Sequence, residues 1–266
     1  MSILSLARHS GGGLGLSPRR RGVKGTTVPA ILQDGLVAEW RFDDGAGQQI
    51  TDYVGGFHAQ LGATASVDSG EPTWSATGVD MVERSQAENY VLVGSDLNMD
   101  DGSNRTVVVV ASADLTDLGG TSFGYGLFNW TNPSETTLGD RWLLTINSNG
   151  KLSIGTTFGQ QFQHPGSLVN DGWHFFAAVQ NGTRHGDVTL HLDGEAPFND
   201  PVWGSDFSNL SGATCFMGSL GSAFGGFKDG RHAYCLVYNR ALSDAEIAHN
   251  RMALAAILAG RAIMLP

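Results

Sequence analysis

The chain has 266 residues, 41% of them hydrophobic and 37 of them glycine, with a formal net charge of −10. That length accommodates one large core or two small ones, and the composition excludes a disordered or fibrous chain. The charge is asymmetric. Five of the 16 basic residues and none of the 26 acidic ones precede Asp34, which leaves 11 basic against 26 acidic residues, about −15, for the rest.

Residues 1–34 read as an extended basic arm. The stretch SGGGLGLSPRRRGVKGTTVP has no hydrophobic period, and Arg8, Arg19, Arg20, Arg21 and Lys24 give it a charge of about +5. The apolar run from Ile3 to Ala7 is closed by Arg8 and His9, too early for a secretory signal core. An acidic body disfavours nucleic acid on that surface, whereas the arm suits phosphate, acidic protein or the bodies of sister copies, the last of which fits both signs.

From Gly35 the strand signals come at regular spacing: Leu36–Phe42, Tyr90–Val93, Thr106–Ser112, Tyr125–Trp130 and Arg141–Asn147. They continue with Lys151–Gly155, Trp173–Gln180, Val188–Asp193, Thr214–Gly218 and Tyr234–Tyr238. Turn dipeptides separate them, among them Asp44-Gly45, Asn149-Gly150 and Asp193-Gly194. No long helical pattern interrupts these runs, so the sheets are predicted to be antiparallel and packed as a sandwich. In the run from Trp173, the residues Trp173, Phe175, Ala177 and Val179 form an apolar face. His174, Phe176, Ala178 and Gln180 form a mixed one.

One helix is predicted, at the end. Ser243 and Glu246 have the spacing of a capping box, Leu242 precedes the cap, and Gly260 marks the stop. The apolar tail AIMLP suits docking onto another surface, and the run Met252–Ala259 is too short to span a bilayer.

Four stretches resemble the laminin G-like, concanavalin A-type jelly-roll domains. They are GLVAEWRFDDGAGQQITDYVGG at 35–56, DRWLLTINSNGKLSIG at 140–155, DGWHFFAAVQNGTRHGDVTLHLDG at 171–194, and YNRALSDAEIA from Tyr238. The resemblance implies an all-β, antiparallel two-sheet jelly roll of about a dozen strands over 35–250, with 251–266 as helix end and tail. An acidic residue common in the family's closing strand is missing, since Gly230 is followed by Arg231, His232, Ala233 and Tyr234.

The resemblance leaves function to the site, because lectins, glucanases and adhesive modules share this fold. No E-x-D-x-E-like run supplies the paired carboxylates of a glucanase. Calcium is a frequent companion of the family, and Asp43, Asp44 and Asp52 match its acidic positions after the first strand. Asp96, Asn98 and Asp100 imitate the start of an EF-hand loop, but Asp101 stands where glycine is needed. For both clusters the alternative is turn chemistry. Trp74, Trp130 and Trp203 lie in or beside loops, where they would stack on sugars or simply pack. The loop GSLGSAFGG at 218–226 would rim such a site. The histidines do not converge into a zinc pattern. Cys215 and Cys235 would form a disulfide if their strands pair, or stay as separate buried thiols.

The leading expectation is a non-enzymatic structural and adhesive protein of a large assembly. The family resemblance places it in a bacteriophage virion, as a capsid decoration or tail component, meeting other subunits through its arm and tail as a homo-oligomer. A free lectin-like protein that binds a cell-surface glycan is the alternative, with a cytoplasmic location since no secretion signal is read. A glucanase with unrecognised carboxylates is a third reading.

Overall fold

Each strand run is short and closed by a turn of glycine, asparagine or aspartate, so the chain doubles back and pairs with itself antiparallel. The computed structural model describes residues 29–81, 90–99, 104–114, 125–131, 141–157, 160–168, 172–202, 206–207, 212–218 and 230–266. In these it has strands β1 (Leu36–Trp40), β2 (Gln49–Ile50), β3 (Ala59–Leu61), β4 (Thr73–Ser75), β5 (Gly78–Met81), β6 (Val91–Leu92), β7 (Arg105–Ala113) and β8 (Tyr125–Thr131). Then follow β9 (Arg141–Ile146), β10 (Leu152–Thr157), β11 (Gln160–Gln163), β12 (His174–Gln180), β13 (Val188–Leu192), β14 (Phe198–Asn199), β15 (Thr214–Met217) and β16 (Gly230–Tyr238). One helix, α1 (Asp244–Ala259), closes the described chain.

The strands form two eight-stranded sheets, counted among the described residues. The first runs β14-β13-β12-β7-β16-β5-β4, with β1 also on β16. Nine-residue β16 pairs along one edge with β7 throughout, while its other edge is shared by β5 near Gly230 and β1 near Tyr238. The second runs β11-β10-β9-β8-β15-β6-β3-β2. This is the expected antiparallel sandwich, with more strands than the predicted dozen.

Between the sheets lies the larger core. Trp40, Phe128, Trp130 and Trp142 are fully buried in it, with ring centroids 6.2, 4.7 and 5.2 Å apart along the series. The indole N–H of Trp142 donates to Gln180 Oε1 at 2.9 Å, so even this polar edge is satisfied. His232 ties the sheets together: its Nε2 donates to Leu127 O at 2.9 Å and its Nδ1 accepts from the Tyr125 hydroxyl at 2.6 Å.

A second core lies on the outward side of the first sheet. There Val108, Val110, Trp173, Phe175, Ala177, Val179, Leu236 and Tyr238 pack against Ile247, Ala253, Leu254 and Leu258 of α1 and Ile263 of the tail. The apolar set of β12 thus faces the helix, and Phe176 and Ala178 of the mixed set face the sandwich interior. The apolar tail docks on its own sheet. Arg261 holds it there by donating to the carbonyls of Arg41, Phe42, Thr77 and Ala233.

The helix starts as its sequence requires. Ser243 Oγ accepts from Glu246 N, and the Glu246 carboxylate accepts from Ser243 N at 2.8 Å and from Arg240 Nη2 at 2.7 Å. Arg240, and then the Ser243 bonds, hold the Glu246 carboxyl at about 2. Fully buried Asn250 reaches back from the helix: its Oδ1 accepts from Leu32 N and its Nδ2 donates to the Tyr238 hydroxyl, which donates to Leu32 O. The segment before Asp34 is therefore part of the folded body from Pro29 onward, and α1 runs across the expected boundary at residue 250.

Cys215 and Cys235 are both free and buried. They lie on β15 and β16, which belong to different sheets, so the strand pairing a disulfide would have needed does not form. Burial raises both thiols well above their ordinary range, which makes them poor nucleophiles.

Candidate functional site

The acidic loop after β1 is a knot of backbone bonds. Asp52, 5% exposed, accepts from Glu39 N and Val54 N on Oδ1 and from Gly55 N and Phe57 N on Oδ2, all at 2.8–3.0 Å. Its negative charge is spent on four N–H donors, which leaves no oxygen for a cation. Asp44 accepts from the amide and hydroxyl of Thr51, and Asp43 from the Tyr53 hydroxyl. The three aspartates are not gathered, and no group of three metal-ligating side chains occurs among the described residues. All three aspartates of the expected calcium cluster, Asp43, Asp44 and Asp52, are engaged in the turn contacts that were its alternative. At the second cluster Asp96 likewise binds backbone, accepting from Asn98 N and Gly212 N, while Asp100 lies outside the described residues.

The tryptophans separate. Trp130 is fully buried and cation–π stacked by Arg105 at 4.9 Å, so it belongs to the core and offers no face to a sugar. Trp74 is partly buried on edge strand β4, packed on the core with its indole N–H donated to Gly47 O at 2.7 Å. Trp203, the loop 219–226 and the arm residues Arg8, Arg19, Arg20, Arg21 and Lys24 lie outside the described residues.

A different surface carries the hydrogen-bonding chemistry. Strand alternation sends Trp142, Leu144, Leu152, Ile154 and Phe162 inward and Thr145, Ser153, Gln161 and Gln163 outward from the second sheet. Thr145 Oγ1 and Ser153 Oγ are 2.7 Å apart, and Ser153 Oγ donates to Gln161 Oε1 at 3.2 Å. Ser153 Oγ also lies 3.5 Å from Thr145 O, and either hydroxyl can donate to the other. The result is a hydrogen-bonded chain through Thr145, Ser153 and Gln161. The hydroxyls are buried, and Gln161 is half-buried at the rim, where its Nε2 has no hydrogen-bond partner among the described residues. Toward the other edge the outward side chains are Gln49, exposed, with Gln60 and Thr214, half-buried.

Two clefts flank the first sheet. One, of about 390 Å³, lies between Pro29–Gln33, β1, β16 and the end of α1, and holds Glu39, Arg41, Asp43, Tyr234 and Arg261. Glu39 Oε1 accepts from the Tyr234 hydroxyl and from Arg41 Nε at 2.9 Å. The other, of about 320 Å³, is lined by Ser167, His174, Asp193, Glu195 and Arg251. There His174 Nδ1 is 2.7 Å from Asp193 Oδ2, while Asp193 Oδ1 accepts from Phe175 N. Sequence reasoning missed Glu39 and Arg41. The signal existed: Ala38, Trp40 and Phe42 alternate inward, which puts Glu39 and Arg41 together on the outward side.

No family model and no curated protein matches the sequence. Among solved structures the chain is similar to a Trypanosoma rangeli sialidase, at 13% identity and a TM-score of 0.58 over 86% of this chain and 34% of that one. A complex of that sialidase with sialic acid gives 14% and 0.55 over the same shares. Domain 4 of a GH43 extracellular arabinanase from Geobacillus stearothermophilus, in complex with arabinotriose, is matched at 12% identity and a TM-score of 0.55, over 84% of this chain and all of that one. At such identities the likeness shows the fold alone, a β-sandwich. The chain spans about a third of the sialidase it matches, 34%. The expectation of a non-enzymatic chain is corrected by these matches, because the sialidase and the arabinanase are enzymes.

Proposed function

We propose that this chain is a carbohydrate-binding sandwich domain that holds a glycan on the outward face of the second sheet. The observation that carries the reading is the hydrogen-bonded chain Thr145, Ser153, Gln161, which runs from two buried hydroxyls to a half-buried amide at the rim. Neutral hydroxyls and amides held in one orientation suit sugar hydroxyls, which both donate and accept. Support also comes from the arabinanase domain, matched over its whole length, whose solved form holds arabinotriose. The test is a glycan array with the full chain and with Gln161→Ala. Binding that falls in the variant is expected, and no ligand above background for the full chain would sink the reading.

Membership of a larger assembly, in the proposal a virion capsid or tail, is a second reading. One observation favours it: Met252, Ile257 and Met264 on α1 and the tail are exposed, at 56%, 40% and 74%. Sedimentation velocity of the full chain against Met252→Lys tests it; a monomer in both cases goes against an assembly contact at this patch.

A further inference from the structure

We propose that the cleft between the Pro29–Gln33 segment, β1, β16 and α1 is a separate binding site, which takes a ligand with neighbouring hydroxyls through Glu39 and Arg41. It goes beyond the reading above, because it belongs to the side of the first sheet and Gln161 faces out from the second.

Glu39 is 4% exposed, yet its carboxylate is only half used. Oε1 takes the Tyr234 hydroxyl and Arg41 Nε, and Oε2, on a residue that lines the cleft, has no donor among the described residues. Oε2 is not a buried orphan: it opens onto the cleft, where water or a ligand hydroxyl donates to it. Arg41 is in the complementary state. Its Nε is on Glu39 and its guanidinium lies 4.0 Å from the Tyr53 ring centroid, while its Nη groups make no hydrogen bond among the described residues. An acceptor and a donor pair thus stand side by side, already held by each other and by Tyr53 and Tyr234. Two adjacent hydroxyls, one donating to Glu39 Oε2 and one accepting from Arg41 Nη, complete both.

The remaining charges leave little preference for an ion. Asp43 adds one negative charge at the rim, and the guanidinium of Arg261 is committed to four backbone carbonyls. Pro29, Ala30, Ile31 and Ile257 supply apolar wall, which suits the C–H face of a sugar ring. The ligand class is therefore a neutral polyol or saccharide.

The experiment is NMR observation of the Arg41 Nε–H resonance in the full chain during titration with arabinotriose, followed by a panel of neutral mono- and disaccharides. A saturable shift is expected. It should weaken about tenfold or more in Glu39→Gln, since a charge-assisted hydrogen bond is lost. Ile257→Trp, on an exposed helix position, should abolish it by filling the cleft, and Gln161→Ala should leave it unchanged. An Arg41 resonance that no saccharide moves overturns the proposal. So does a saccharide affinity that survives Ile257→Trp, and if that affinity falls in Gln161→Ala, the reading of the second sheet stands alone.

Discussion

On the outward side of the first sheet, Trp173 and, on β12, Phe175, Ala177 and Val179 meet Leu254 and Leu258 of α1. On the outward side of the second, Thr145, Ser153 and Gln161 meet one another through hydroxyls and an amide. Both faces come from strands with the same alternation of two. The outward positions differ in chemistry: those beneath α1 are apolar, whereas on β9 and β10 they are Arg141, Leu143, Thr145 and Ser153, all buried and mostly polar. One face is joined by apolar contact with a helix, and the other carries a chain of side-chain hydrogen bonds that reaches the rim at Gln161.

The largest expected effect breaks the dry face. Leu254 is fully buried beneath α1, and Leu254→Ala should cost about 2–5 kcal/mol. A urea titration followed by tryptophan fluorescence reads it. A loss below about 1 kcal/mol would mean that the helix contributes little and that the first sheet stands without its cover.

Acid should weaken the tie between the two sheets next. Burial pushes His232 down to about 4 from 6.5, with its bond to Leu127 opposing. The unfolded chain therefore takes up this proton at about 6.5, and the folded one only near 4. Stability from this group is complete above about pH 6.5 and is lost as the pH falls toward 4, by about 3 kcal/mol in all. His185, pushed down to about 4 mainly by burial, acts in the same direction. Urea midpoints measured from pH 7.5 to 4.5 should fall steadily, and His232→Gln should flatten part of that slope. A flat wild-type profile would show that neither imidazole stays neutral in the fold.

A smaller effect belongs to the helix start. Ser243→Ala removes the acceptor for Glu246 N and should cost about 1 kcal/mol in the same titration. This residue also shows what the sequence reveals. The capping box and the stop at Gly260 are local, and the helix follows both. The long strands were equally plain, since β7, β12 and β16 offer seven to nine residues of pattern. Strands β2, β3, β4, β5, β11 and β14, of two to four residues, are too short to show an alternation and exist because a neighbouring edge holds them.

Site residues were less legible for a physical reason. A loop aspartate reads the same whether it faces a cation or four backbone amides, and Asp52 faces the amides. A tryptophan at a strand end reads the same whether it stacks on a sugar or on Trp142, and Trp130 stacks on Trp142. Thr145, Ser153 and Gln161 each look like ordinary outward strand residues. They become a chain only when β9, β10 and β11 are set in register, with Thr145 opposite Ser153 and Ile154 opposite Phe162.

The smallest expected change in stability is the one that tests the polar face most sharply. Thr145→Val with Ser153→Ala replaces both partners of a buried hydroxyl pair by apolar groups of similar shape, which should leave stability nearly unchanged. Gln161 then loses the donor that fixes its amide, and its side chain turns freely at the rim. Glycan affinity should fall several-fold through lost orientation, and Gln161→Ala should cost at least as much. If the double variant loses stability by more than about 2 kcal/mol, the hydroxyls hold the second sheet together, and the two faces differ in chemistry without differing in purpose. If stability holds and affinity falls, the polar face is maintained for what it binds.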